Sequence, residues 1–164
     1  MSEVENSISF QGGKIYLKLN SYILREIGAL ARCVQSINDI KLKEVKLQKG
    51  QMIFVTRICE NPGINHIDLS NILKVDKTTT TKAVQKLIEA GYIDKVRDEE
   101  DKRMWRLHPR QKALDVYPML VEVENKNIES CFSDFSEEEK EIVYKLVKRM
   151  AENIEDDWKE IKSF

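Results

Sequence analysis

The stretch from residue 65 to residue 107 constrains the fold more than any other part of this 164-residue chain. Asn65 is of the type that caps a short helix, and Asp76 can cap a second helix, predicted over 77–90. A link of two residues separates these helices, so the turn between them must be tight. Gly91 can then end the second helix in a left-handed conformation. The predicted core residues of the first helix are Ile67, Leu69, Ile72 and Leu73.

Two short runs of β-forming residues follow the second helix, at 92–97 and 103–107. A charged segment over 98–102 joins them, which is typical of a two-stranded ribbon with an exposed tip. The order of helix, turn, helix and ribbon predicts a winged helix-turn-helix, within a mainly α-helical chain that has a small β-wing. In such a fold the second helix can enter the major groove of B-form DNA, which is about wide enough for one helix.

The predicted helix over 77–90 has two chemically different faces at about 100° per residue. Val84, Leu87 and Ile88 share one face, with Thr80 one turn earlier, and we expect this face to pack inward. The other side carries hydroxyl, amide and ammonium groups, which can contact base edges and phosphates. These candidate DNA-binding residues are Thr78, Thr79, Thr81, Lys82, Gln85 and Lys86.

The run of threonines over 78–81 has a second interpretation. Threonine is a mediocre helix former, and its hydroxyl can serve only to cap the helix or to bond back to the backbone. The interleaved Lys77, Lys82 and Lys86 favour the DNA-binding interpretation.

The ribbon tip supplies a second candidate DNA contact through Asp101, Lys102 and Arg103. An arginine on a narrow ribbon can reach into the minor groove, where the negative potential is focused. An adjacent aspartate can orient that arginine through a charge-assisted hydrogen bond. The acidic residues over 98–100 would repel phosphate, so we expect them to point away from DNA. Such a charge run is also compatible with a plain solvated turn.

Helical periodicity predicts the remaining elements. A loose lead-in over 1–14 precedes a long helix over 15–40, and a second helix is predicted from about residue 49 to residue 60. Pro109 is expected to start another long helix, which runs to about residue 132 with Pro118 inside it. The expected division is an N-terminal arm with the first dimerisation helix over 1–46, a winged domain over 47–108, and C-terminal dimerisation helices over 109–164.

The last predicted helix begins at the capping box Ser136-Glu-Glu-Glu139 and carries one continuous apolar stripe. The stripe comprises Ile142, Val143, Leu146, Val147, Met150, Ile154, Trp158 and Ile161. A stripe of this length needs a cover, so it predicts a homodimer through the long N- and C-terminal helices. A monomeric bundle that covers its own stripe is the alternative.

Composition limits the class of protein. With 41% hydrophobic and 34% charged residues, the chain is too apolar for disorder and too charged for a membrane protein. No apolar run approaches the roughly 18 residues of a spanning helix, and the acidic N-terminus does not resemble a secretory signal, so we expect a cytoplasmic protein without a membrane partner. The net charge is −1, but residues 61–110 carry ten Lys/Arg against eight Asp/Glu, which suits a central DNA-contacting module.

The sequence carries little sign of catalysis, metal binding or a cofactor. It has no phosphate-binding glycine loop, no Gly-x-Ser-x-Gly and no His-Glu-x-x-His motif, which argues against an enzyme. Only His66 and His108 are histidines and no cluster has metal-ligand spacing, so we expect neither a metal nor a cofactor. Cys33, Cys59 and Cys131 are widely separated and odd in number, which fits a reducing compartment. Redox sensing by one of these thiols is an alternative.

Several motifs together resemble the MarR family of transcriptional regulators over nearly the whole chain. The matching segments are Leu47-Gln48-Lys49-Gly50-Gln51, Pro62-Gly63-Ile64, Leu69 to Val75, Thr78 to Leu87, Glu89-Ala90-Gly91-Tyr92-Ile93, Asp101-Lys102-Arg103, and Phe135 to Glu139. The chain departs from the family pattern after the wing, where Leu107-His108-Pro109-Arg110-Gln111 replaces Leu-Thr-x-x-Gly. Lys82 also stands where many members carry arginine.

The resemblance implies a ligand-responsive regulator, by family default a repressor, that binds a pseudo-palindromic operator in double-stranded DNA as a homodimer. It also implies a small-molecule effector between the dimer helices and the DNA-binding lobes. The candidate lining residues are Tyr22, Met52, Trp105 and Tyr117, although aromatic and methionine residues at helical spacing are more often plain core. The main alternative is a winged-helix protein-interaction module without DNA binding, whose signature would be acidic or apolar residues on the outward face.

Overall fold

The computed structural model describes residues 9–11, 14–16, 19–45 and 47–162. The chain forms two compact units, Met1–Ile37 and Asn38–Phe164. In chain order the elements are β1 (Ser9–Gln11), β2 (Lys14–Tyr16), α1 (Ile23–Lys41), α2 (Met52–Glu60), α3 (His66–Leu73), α4 (Lys77–Glu89), β3 (Ile93–Arg97), β4 (Trp105–Pro109), α5 (Gln111–Cys131), α6 (Glu137–Asn153) and α7 (Glu155–Lys162).

The N-terminal unit begins with an antiparallel pair of short strands, in which Phe10 lies opposite Ile15. The expected loose lead-in and the helix start at residue 15 are therefore wrong, since β2 occupies Lys14–Tyr16 and α1 begins at Ile23. A Gly-Gly pair between two β-forming runs is a hairpin signal, whereas the sequence interpretation used it only as a helix breaker. The Ser21 hydroxyl accepts a hydrogen bond from the Ile23 backbone N–H at 3.2 Å and so marks the start of α1.

The second unit is organised around one apolar core that α2, α3, α4, the wing strands and α5 share. Each element contributes at least one side chain with no exposed surface, because each is apolar on one face only. These residues are Val55 and Ile58 of α2, Leu69 of α3, Leu87 of α4, Ile93 and Leu107 of the wing, and Ala113 and Leu120 of α5.

Two of the predicted core residues of α3 lie on the surface instead. Ile67 is 56% exposed and Ile72 is 49% exposed, whereas Leu69 is fully buried. The helix has only eight residues, and at about 100° per residue Ile67 points almost opposite to Leu69. A two-turn helix therefore buries a narrower stripe than its apolar content suggests.

Pro109 does not start a helix, contrary to the prediction. It is the last residue of β4 and lies opposite Ile93 in the antiparallel ladder. The Arg110 backbone N–H then donates to the Tyr92 carbonyl at 2.8 Å, and Arg110 is the N-cap of α5. Strand pairing thus continues to the helix cap, and a proline at a strand end removes no necessary hydrogen-bond donor. Pro118 lies inside α5, as predicted.

The C-terminal segment forms two helices rather than the single predicted one. The capping box is confirmed, because the Ser136 hydroxyl accepts from the Glu139 backbone N–H at 3.2 Å and the Glu139 carboxylate accepts from the Ser136 N–H at 2.8 Å. However, α6 ends at Asn153, and α7 begins with an acidic first turn over 155–157. Acidic side chains are stabilising at a helix N-terminus, which favours a new start there.

Within the described ranges, no helix combines the length and the apolar character that crossing a bilayer requires.

Candidate nucleic-acid interface

The link between α3 and α4 is a tight turn fixed by local hydrogen bonds. The Asn65 side chain accepts from the backbone N–H groups of Ile67 and Asp68, each at 2.9 Å, and so caps α3. Lys74 ends α3 in a left-handed conformation with φ 52°. The Val75 N–H bonds back to the Ser70 carbonyl at 3.1 Å. The chain therefore reverses within two residues, as the sequence predicts.

Asp76 caps α4 and thereby fixes where this helix begins. Its carboxylate accepts from the Thr79 backbone N–H at 2.8 Å and from the Thr79 hydroxyl at 2.5 Å. These hydrogen bonds, led by the one from the Thr79 side chain, lower the pKa of Asp76. At the other end Gly91 has φ 77°, so the predicted left-handed residue after the helix is confirmed.

The inner face of α4 packs as expected. Thr80, Val84 and Leu87 are at most 1% exposed. This face also holds a buried polar contact that was not predicted, in which the Ser70 hydroxyl of α3 donates to the Thr80 hydroxyl at 2.7 Å. This contact fastens the two helices together across the turn, and its only sequence signal was a threonine on an otherwise apolar face.

The outer face of α4 comprises Thr78, Thr79, Thr81, Lys82, Gln85 and Lys86, all of which are exposed. Several of these side chains also make local bonds. The Thr81 hydroxyl donates to the Lys77 carbonyl at 2.8 Å, Gln85 donates to Glu89 at 3.0 Å, and Lys86 donates to Gln48 at 3.1 Å. Capping and back-bonding therefore coexist with exposure. Within the described ranges Lys82 takes part in no ion pair.

The wing is an antiparallel ribbon whose turn is organised by Asp98. Its carboxylate accepts from the backbone N–H groups of Glu100 and Asp101, each at 2.9 Å, and from the Arg106 guanidinium. These hydrogen bonds lower the pKa of Asp98 to about 2, and the largest contribution comes from the Asp101 backbone N–H. This role of Asp98 could not be predicted from the sequence, because its partner Arg106 lies on the opposite strand.

At the wing tip, the Asp101 carboxylate makes a bidentate contact with the Arg103 guanidinium. The Arg103 Nε and Nη2 atoms lie 3.1 Å and 3.2 Å from the two carboxylate oxygens of Asp101, and the Arg103 backbone N–H donates at 3.0 Å. The Arg103 side chain is nevertheless 91% exposed, and Lys102 beside it is also exposed. The aspartate thus orients the arginine and leaves it accessible.

We expect replacement of Asp98 to loosen the wing turn. Because the pKa of this carboxyl is about 2 in the folded protein, below the ordinary value of about 3.9, its ionised form stabilises the fold above that ordinary value. This contribution is lost as the pH falls toward 2. The Tm of Asp98→Asn should therefore lie below that of the unmodified protein at pH 7, and the gap should narrow as the pH falls from 5 to 3.

Glu99→Gln is the matched control, since it removes a carboxylate from the next position on the same turn. Its Tm at pH 7 should equal that of the unmodified protein. A gap for Asp98→Asn that is the same at every pH would contradict the assigned role of the ionised carboxylate.

Of the four residues proposed for an effector site, the three that belong to the second unit do not come together. Met52 is a core residue with 2% exposure at the start of α2. The Tyr117 hydroxyl lies 3.4 Å from the Glu60 carboxylate at the other end of α2, about 12 Å along the helix axis. Trp105 lies on the wing, and Tyr22 belongs to the N-terminal unit. Spacing along the sequence could not reveal this separation.

A cavity of about 310 Å³ lies instead beside the outer face of α4. The loop before α2 and the start of α2 form one wall, and α4 forms the other. Its lining residues are Gln48, Lys49, Gly50, Gln51, Ile53, Phe54, Val75, Thr79, Lys82, Ala83 and Lys86. Three lysines among them give the cavity a basic character, and sequence reasoning missed it because its walls are distant in the chain.

The cysteines and the acidic residues were considered as a reactive thiol and as metal ligands. Cys33 and Cys131 are exposed, and burial, followed by the nearby Glu60, raises the pKa of Cys59 to about 11. Cys59 therefore stays a thiol at neutral pH, which disfavours it as a reactive thiolate. Within the described ranges, no group of three or more His, Cys, Asp or Glu side chains is arranged to hold a metal ion.

Comparisons with known proteins agree on one family. The MarR family sequence profile matches residues 47–104. The HTH-type transcriptional regulator YybA of Bacillus subtilis (strain 168) is 42% identical over 140 residues, which cover 85% of this chain and 93% of that protein. The solved MarR protein from Peptoclostridium difficile DA00132 is 57% identical, with a TM-score of 0.85 over 93% of this chain and all of that one.

A MarR family regulator from Listeria monocytogenes, solved with a 26mer DNA, is 37% identical, with a TM-score of 0.84 over 85% of this chain and 93% of its own. The predicted winged-helix fold is confirmed by these structures. Members of the family regulate transcription and are not enzymes. A match of this identity and coverage is decisive: the chain belongs to the MarR family of transcriptional regulators.

Proposed function

We propose that this regulator binds double-stranded DNA with the outer face of α4 in the major groove. The observation that carries the proposal is the exposed set of hydroxyl, amide and ammonium groups on one side of a helix whose other side packs on the core. A rigidly held helix can present such groups at fixed positions to base edges and phosphates. The DNA complex of the Listeria relative supports this role.

The wing contributes a second contact in the same proposal. Arg103 extends from the tip, and Asp101 fixes its direction through the two-pronged contact. A narrow ribbon that carries an oriented arginine suits the adjacent minor groove. Asp98 is turned into the wing, where its side chain is only 12% exposed, so it presents little negative charge to DNA.

Selection of bound sequences from a random DNA pool tests the proposal directly. We expect enrichment of one sequence with two-fold symmetry, whose half-sites lie about one DNA turn apart. If no sequence is enriched and the affinity for DNA does not change with salt concentration, the result would instead support a protein-interaction module.

The regulator is proposed to act as a homodimer. Large apolar side chains remain exposed on α1, α6 and α7, at levels that a partner helix would cover. They include Ile23, Leu24, Leu30 and Ile37 of α1, Ile142, Leu146 and Val147 of α6, Ile154 at the C-cap of α6, and Ile161 of α7. A two-fold dimer would place two α4 helices against a symmetric site.

We expect Leu146→Glu to convert the dimer into monomers, because a charge in an apolar helix interface is strongly unfavourable. Analytical ultracentrifugation should show the mass of one chain for this variant and of two chains for the unmodified protein. Lys148→Glu is the control, since it puts the same residue on the opposite side of α6 and should stay dimeric. A folded Leu146→Glu variant with unchanged mass would contradict an interface on this stripe.

Repression in the cytoplasm in response to a small molecule completes the proposal. A repressor acts by occupying its operator, and an effector releases it only if it binds the free form more tightly than the DNA-bound form. The basic cavity beside α4 supports such a response. A small anion held near Lys82 and Lys86 would occupy surface that DNA needs.

A further inference from the structure

The cations of the wing fall into two groups according to their partners. Arg103 pairs with Asp101, and Arg106 pairs with Asp98. Arg110, just after β4, pairs with Asp94 at 2.5 Å. Lys95 and Arg97 of β3, like Lys102 at the tip, are exposed and form no ion pair within the described ranges.

Trp105 holds these two unpaired cations together. In the β3–β4 ladder Trp105 lies directly opposite Arg97 and diagonal to Lys95. The Lys95 ammonium is 4.9 Å and the Arg97 guanidinium carbon is 5.2 Å from the centre of the indole ring. Both distances lie within the range of a cation–π contact. The ring itself is 37% exposed, so its contacts serve the surface rather than the core.

Two like charges on one indole repel each other, and an anion beside them would relieve that repulsion. Asp94, Asp98 and Asp101 of the wing are each engaged by an arginine, and within the described ranges neither Glu99 nor Glu100 forms an ion pair with these two cations. The arrangement therefore leaves two neighbouring positive charges without an ion-pair partner among the residues that the structure describes.

The surroundings of the ring support this conclusion. A cleft of about 180 Å³ lies between the wing and the start of α3, and Trp105, Arg103 and His66 are among its lining residues. Burial, and then the charge of Lys95, lowers the pKa of His66. The positive potential of Lys95 thus reaches the same cleft that the proposed minor-groove arginine lines.

We propose that Lys95 and Arg97 bind backbone phosphates of DNA, and that Trp105 is the positioning residue that holds both cations toward them. This inference rests on the proposed DNA-binding function and adds contacts from two residues of β3, which belong neither to the outer face of α4 nor to the set at the wing tip. Backbone phosphates suit this pair of cations better than bases do. The pair on the indole ring can neutralise negative charge without reading the edge of a base. The contact adds affinity for any sequence.

The first test replaces both cations with glutamine. In Lys95→Gln/Arg97→Gln the slope of log K against log salt concentration should become less steep by about two, because about one counterion is released for each phosphate contact. Affinity should fall for operator and random DNA alike. Lys126→Gln/Lys140→Gln is the control, because it removes the same charge from α5 and α6 and should leave the slope unchanged.

The second test removes the ring without changing the charge. Trp105→Ala should weaken binding about tenfold and make the salt slope less steep, whereas Trp105→Phe should keep part of the affinity, since phenylalanine retains a π face. In the background of Lys95→Gln/Arg97→Gln, Trp105→Ala should cost nothing further. If Trp105→Ala lowers DNA affinity as much in that background as it does alone, the positioning role is wrong, because Trp105 would then act through packing. Thermal unfolding checks that each variant folds.

The outcomes separate the two proposals. If the unmodified protein binds DNA and Lys95→Gln/Arg97→Gln retains both its affinity and its salt slope, this inference is wrong and the proposed function stands. If the folded, unmodified protein binds no DNA, both fail. If the slope of log K against log salt concentration for operator binding becomes less steep by about two only in Lys95→Gln/Arg97→Gln, the result supports the phosphate contact.

Discussion

Replacing Lys82 with glutamate should weaken binding to the selected operator by about a hundredfold or more, while the protein stays folded. Lys82 is exposed in the middle of the outer face of α4 and has no ion-pair partner within the described ranges. One contact of a side chain with a base edge or phosphate is worth roughly 1–3 kcal/mol, and a carboxylate in its place adds repulsion from the phosphates. Fluorescence anisotropy with a labelled operator measures the change.

Two further variants make the Lys82 result interpretable. Lys148→Glu carries the same charge reversal on α6 and should bind the operator like the unmodified protein. Lys82→Gln removes the charge without reversing it, and its salt slope should be less steep by about one if the lysine contacts a phosphate. Unchanged operator affinity in Lys82→Glu would remove the basis for placing α4 in the major groove.

The features that the sequence predicted well are those encoded within one helical turn. The caps Asn65, Asp76 and Ser136 bond to backbone groups two or three residues away, so residue type and spacing determine them. Gly91 likewise needs only its own conformational freedom to end α4. The two faces of α4 follow from helical periodicity alone, which is why Thr80 could be assigned to the buried side.

The errors have a common origin in contacts between distant residues. Pro109 looks like a helix start until its pairing with Ile93 is known. Asp98 and Arg106 come together only because the wing folds back on itself. A stripe of apolar residues through Ile154 cannot reveal that the helix ends there and restarts at an acidic turn.

The effector and wing residues show the same limitation. Trp105 was selected for an effector site by its residue type, yet the contacts that define its environment are with Lys95 and Arg97 on the neighbouring strand. The cavity beside α4 joins residues as far apart as Gln48 and Lys86, which are hydrogen-bonded across 38 positions. Local patterns determine what each helix presents, whereas tertiary packing determines which groups share a site.

Leu87→Ala should lower the free energy of unfolding by about 2–5 kcal/mol, because it empties a fully buried position on the inner face of α4. Gln85→Ala, two residues earlier on the outer face, should change it by less than about 0.5 kcal/mol. Urea denaturation followed by circular dichroism measures both, at one fixed protein concentration because the stability of the proposed dimer would depend on it. Equal losses for the two variants would mean that α4 does not pack on its apolar side.

The same pair of variants separates stability from DNA binding. At a temperature where Leu87→Ala is fully folded, its operator affinity should match that of the unmodified protein, because every group on the outer face is still present. Gln85→Ala should show the opposite pattern, with an intact fold and weaker operator binding, because it removes an exposed amide that can contact a base edge. A helix that both supports the core and contacts DNA must divide these effects between its two sides. Loss of binding in a fully folded Leu87→Ala would show that packing on the inner face also sets how α4 meets the groove.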